Sequence, residues 1–159
     1  MKHSYCLPVA LCVMLLFSVK AAYGQTTMPT ASDMESLLDT EEVSCSQAAY
    51  FVLAAAMENP PPNPGAAFAE ALERGWLPAK AESGSGVTLG GLSLLVMKAF
   101  GRRVPNAGLL YRLFPGSRYA YRALASQGFI EGRAYPSLKV SGEQFLRILE
   151  KILAEGETE

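Results

Sequence analysis

Histidine occurs once in the 159 residues, at position 3, and cysteine three times, at 6, 12 and 45. Once its first two dozen residues are removed, the chain keeps no histidine. It then lacks the usual proton carrier near neutral pH and the commonest zinc ligand. It also keeps only Cys45, which rules out an internal disulfide and any cysteine cluster. Residues 25–73 hold eight Asp and Glu and no Lys or Arg. Beyond the N-terminus no apolar run reaches the roughly 20 residues of a membrane span. Gly84-Ser85-Gly86 and Gly90-Gly91 lack the following lysine and the preceding apolar strand of a phosphate-binding loop, so they read as flexible backbone before a capped helix. No catalytic residue, metal ligand or cofactor is expected.

The first 24 residues have the pattern of a secretory signal. Lys2 and His3 precede an almost unbroken apolar run at 7–19, and Ala22-Tyr23-Gly24 sets small residues before Gln25. Leu11, a large side chain before Cys12, argues against lipidation there. Residues 25–159 then form an exported chain of one domain's length, destined for the periplasm or cell envelope. They carry twelve Lys and Arg against fifteen Asp and Glu, a net charge of −3. Charge is polarised along the chain: eight basic residues in 98–139 face only Glu131 in opposition. The lone Cys45 lies beside a predicted buried helix face, which disfavours pairing between chains.

The stretch 67–99 recurs without a gap at 120–152. Phe68 falls on Tyr121, Gly75 on Gly128, Trp76 on Phe129, Leu77 on Ile130, Val87 on Val140, Leu92 on Phe145 and Leu95 on Ile148. Size and polarity are kept more than identity, as in stacked helical units that preserve packing. Three openings are alike: Val43-Ser44-Cys45-Ser46-Gln47, Val87-Thr88-Leu89-Gly90-Gly91 and Val140-Ser141-Gly142-Glu143-Gln144. Each offers a hydroxyl cap and a valine that staples onto Ala48, Leu92 or Phe145, and the Ser–Gln pairs complete a capping box in two.

A flexible start at 25–31 leads to a short acidic helix capped by Ser32-Asp33, with Met34, Leu37 and Leu38 as its apolar face. A buried helix follows over 48–57, then a stiff proline spacer at 59–65. Further helices are predicted at about 66–74, 88–100, 117–127 and 141–154, with Gly75 and Gly128 as C-caps and an acidic, frayed tail at 155–159.

This arrangement resembles the S-layer homology module, a helix-loop-helix unit that usually occurs in threes. The second copy carries the likeness best, through Ala120-Tyr121, Leu124, Gln127 to Gly132, Tyr135-Pro136 and Val140-Ser141; the first does so through Ala71, Gly75-Trp76-Leu77 and Val87-Thr88. Val-Ser-Cys-Ser-Gln-Ala-Ala, Leu-Tyr-Arg-Leu-Phe-Pro and Arg-Tyr-Ala-Tyr-Arg are also similar to small exported envelope proteins of spirochaetes. The resemblance implies an all-α fold of two full units and one shortened unit, at about 66–101, 117–154 and 32–57, within a single helical domain at 32–154. Family members grip pyruvylated wall polymers with the Arg of a Thr-Arg-Ala-Glu motif. Thr88-Leu89-Gly90-Gly91 and Ser141-Gly142-Glu143-Gln144 contain no Arg, so that role does not carry over.

The ligand candidates are Tyr111, Arg112, Phe114, Arg118, Tyr119 and Arg122, within a run that also holds Arg102, Arg103 and Arg133. Arginine's planar fork suits carboxylate and phosphate, while tyrosine rings stack on sugars or anchor a partner. Arg118 and Arg122 share a helix face, with Tyr121 on another. Three occupants are open: the protein's own acidic N-terminal segment, an anionic glycan or peptidoglycan surface, and an envelope protein. Nucleic acid is disfavoured by export and by the net acidic chain. The expected function is a non-catalytic envelope scaffold or adaptor that binds an anionic cell-wall component. The alternative is a periplasmic protein–protein interaction module without glycan affinity, with self-association if another chain completes the shortened unit.

Overall fold

The computed structural model describes residues 28–101, 111, 113–131 and 135–156. The signal at 1–24, the rest of the start to 27, Arg102, Arg103, Arg112, Arg133 and the tail from 157 lie outside them. Among the described residues the fold is all-α. Its helices are α1 (Ala31–Leu38), α2 (Cys45–Ala56), α3 (Pro64–Glu73), α4 (Leu89–Ala99), α5 (Ser117–Ser126) and α6 (Gly142–Gly156). None is long and apolar enough to cross a membrane.

The caps explain most helix starts. Ser44 Oγ accepts from Gln47 N–H while Gln47 Oε1 accepts from Ser44 N–H, a closed capping box. Thr88 Oγ1 accepts from Gly91 N–H, and Ser141 Oγ from Gln144 N–H. α1 begins earlier than the sequence suggested. Thr30 is the cap and Asp33 its reciprocal partner, because a carboxylate at the third helical position reaches back to the cap N–H at 2.8 Å. Only Leu37 of the expected α1 face is buried; Met34 and Leu38 are 46% and 50% exposed. α3 likewise starts at Pro64 rather than 66, since Asn63 Oδ1 caps Ala66 N–H and proline at the first position has no donor to waste. Pro60 and Pro61 of the expected spacer are buried in the protein. α6 continues through Glu155, past the expected end at 154.

Gly75 and Gly128 have φ of 65° and 80°. They close α3 and α5 with the same pair of bonds. Gly75 and Trp76 donate to Leu72 and Ala71, and Gly128 and Phe129 donate to Ala125 and Leu124.

The three valines meet at the centre of the molecule. Val43 N–H donates to Val140 O (2.9 Å), Val140 N–H to Val87 O (3.1 Å) and Val87 N–H to Val43 O (2.7 Å), a closed ring of backbone bonds. The helix N-termini donate the opposite way round the ring. Cys45 and Ser46 N–H donate to Ser85 and Ser83, Leu89 and Gly90 N–H to Leu138 and Pro136, and Gly142 N–H to Thr40. Donors that a helix leaves unpaired are thus satisfied by the next loop around the ring. Helix packing follows the same order, α2 on α3, α4 on α5 and, most thinly, α6 on α1. The core fills the space between, with Phe145 edge-on to Phe51 at 6.2 Å and α4 buried on nearly every side.

Candidate functional site

α5 presents three of the six residues singled out in the sequence, Arg118, Tyr119 and Arg122. Its apolar stripe, Ala120, Ala123 and Leu124, is buried, and Tyr121 packs half-buried on the core. Arg118 and Arg122 point outward, as their four-residue spacing requires. Phe114 and Tyr119 come together with ring centroids 6.1 Å apart and planes tilted by 32°. Phe114 and the neighbouring Leu113 are 60% and 61% exposed. Tyr111 instead packs half-buried against the core, and burial pushes its phenol up from its ordinary value. Arg112 lies outside the described residues.

Among the described residues, Arg118 and Arg122 are not neutralised by the acidic N-terminal segment. Ion pairs among the described residues join Arg74 to Glu70, Arg147 to Glu143 and Glu131, and Lys151 to Glu131. No acid in 33–73 pairs with Arg118 or Arg122. The packing order gives the reason: α1 lies on α6 and α5 on α4.

A second location was not foreseen. A cleft of about 290 Å³ opens beside the start of α4, floored by Leu77, Val87 and the buried Cys45. Ser85, Thr88, Lys80 and Lys139 surround it. Lys139 Nζ donates to Gly86 O at 2.5 Å, and the Glu42 carboxylate stands on the same glycine. Lys80 is exposed and has no ion pair among the described residues. Gly91 lines the cleft without a side chain. In α2 and α6 the third position is Gln47 and Gln144. Around Gln144, where Phe129 and Ile130 correspond to Trp76 and Leu77, the hollow shrinks to about 50 Å³. The signal was present in the sequence as one glycine among three aligned openings, but its effect on volume needed the neighbouring loop.

The positions that would bear the arginine of a wall-gripping motif are closed to it. Leu89 is buried, and a Cβ on Gly142 would sit 1.6 Å from Leu37 O. Cys45, 5% exposed and 3.7 Å from Ser85 Oγ, is screened from a second chain. No family model, curated protein or solved structure matches the chain.

Proposed function

We propose that this protein is a non-catalytic scaffold or adaptor of the cell envelope, exported by its N-terminal signal and built of three related helical units. It binds an anionic cell-wall component. The observation that carries this reading is the cleft beside α4, where enclosure, two hydroxyls and the ammonium groups of Lys80 and Lys139 coincide. A cleft of this size is at the lower end of small-ligand sites, enough for a single acidic sugar or short chain end. The lysines supply the charge that an arginine at 89 or 142 cannot. The exposed Arg118–Arg122 face offers charge and stacking surface without enclosure.

Co-sedimentation with purified peptidoglycan sacculi tests the reading. Saturable binding is expected at low salt, weaker at physiological salt, and lost in Lys80→Glu and in Gly91→Gln, which fills the cleft as Gln144 does. Absence of binding at either salt sinks it. The second reading, a protein-interaction module, is favoured by Leu113 and Phe114, whose exposed apolar surface resembles an interface anchor. Binding lost instead in Arg118→Glu/Arg122→Glu would move the site to α5.

A further inference from the structure

Seven large apolar side chains are strongly exposed among the described residues, and they fall into two groups. Met28, Met34 and Leu38 lie on and just before α1. Leu113 and Phe114 precede α5, while Tyr135 and Leu138 belong to a loop that meets its first residue: a Cβ on Gly90 would touch both Pro136 and Ser117. The two groups carry opposite charge. Around the first stand Asp33, Glu35, Asp39 and Glu41, in a stretch with no Lys or Arg before Arg74. Asp33 is engaged by Thr30, but Glu35, Asp39 and Glu41 make no side-chain hydrogen bond or ion pair among the described residues. Around the second stand Arg118 and Arg122, which have no acidic partner among the described residues.

We propose that copies of this chain associate head to tail, the acidic α1 face of one copy docking on the basic, aromatic α5 end of the next. Each face has an apolar centre with charges at its side, the composition of a protein contact, and each has the charge sign the other lacks. Met34 and Leu38, four apart on one stripe of α1, meet the Phe114–Tyr119 pair. Glu35 and Asp39 lie beside that stripe and face Arg118 and Arg122, which share the same spacing. The contact joins unlike surfaces, so it leaves one face free at each end and propagates into a ring or a chain. Lys80 and Gly91 of the cleft belong to neither face, so failure of wall binding and failure of self-association are read from different variants.

Sedimentation velocity of the purified protein across micromolar concentrations tests the proposal. The average mass is expected to rise with concentration at low salt and to fall to that of a monomer in about 1 M salt, where screening acts over roughly 3 Å. Glu35→Arg/Asp39→Arg and Arg118→Glu/Arg122→Glu are each expected to weaken association more than about tenfold. Mixing the two variants restores it, because each brings the face the other needs. All four positions are exposed, so both variants should keep the wild-type circular dichroism. A monomer at every concentration in low salt overturns the proposal. So does association that neither reversal weakens, or a mixture that stays monomeric.

Discussion

Gly142 has the least room of the described glycines: a Cβ there would stand 1.6 Å from Leu37 O and 2.6 Å from its carbonyl carbon. Both are backbone atoms that no rotamer change can move. Gly142→Ala should therefore destabilise by at least about 3 kcal/mol, read as a fall in the urea midpoint. Gly84→Ala is the control, since nothing lies within 4 Å of its Cβ position; it should be neutral or gain up to about 1 kcal/mol. Three ionisable side chains among the described residues are shifted from their ordinary values. Hydrogen bonds from Thr30 hold the Asp33 carboxyl below its usual value, and the Lys151 hydrogen bond and charge do the same for Glu131. A depressed folded value means stability that is full above the ordinary carboxylate range and lost as pH falls through the folded one. Asp33→Asn and Glu131→Gln should each flatten the acid limb of a stability–pH curve. Tyr111 works in the opposite limb: burial raises its phenol, so stability present below its ordinary value is lost as pH rises through the folded one. Ultraviolet titration should find a late-ionising tyrosine that Tyr111→Phe removes. The charges on Arg118 and Arg122 were legible in the sequence, but their lack of an acidic partner was not. Pairing depends on which helices become neighbours.

At the level of elements, the caps separate helices that look alike in sequence. α2 has a closed box between Ser44 and Gln47, whereas α4 has Thr88 with Gly91 and no side chain to reach back. Gly91→Gln should supply that group and remove a glycine from a helix, raising stability by about 1 kcal/mol while closing the cleft. A gain in the thermal midpoint together with lost ligand binding would show both effects in one variant; a lower midpoint would mean the glutamine finds no space. α1 is the weakest element, eight residues long and buried only at Leu37. Leu37→Ala, at a usual cost of about 2–4 kcal/mol, should exceed the local stability of α1 and release it. Hydrogen exchange should then show fast amides at 34–38 with α2 and α4 still protected. The short acidic helix is legible in the sequence, but Met34 and Leu38 of its apolar face stay exposed. Periodicity gives the width of an apolar stripe but not whether a neighbouring helix extends far enough to cover it.

The whole molecule is organised around the ring joining Val43, Val87 and Val140, with each helix start tied to the following loop. Such closure couples segments far apart in sequence. A chain ending at residue 141 would lose Phe145, Ile148 and Ile152 from the core together with the bond from Gly142 to Thr40. It should unfold without a cooperative transition, and retained sharp melting by circular dichroism would contradict the ring as the organising contact. The sequence by itself determined the helices, the glycine stops, the valine–hydroxyl openings and the separation of acidic from basic segments. These follow from local propensity, caps and periodicity, which act within a few residues. Tertiary structure alone decided that three valines close a ring and that α1 lies on α6 rather than on α5. It also decided that a cleft opens beside Gly91 and that two oppositely charged faces remain uncovered. Each of these depends on which distant backbone occupies the adjoining space, and spacing along a chain carries no record of that.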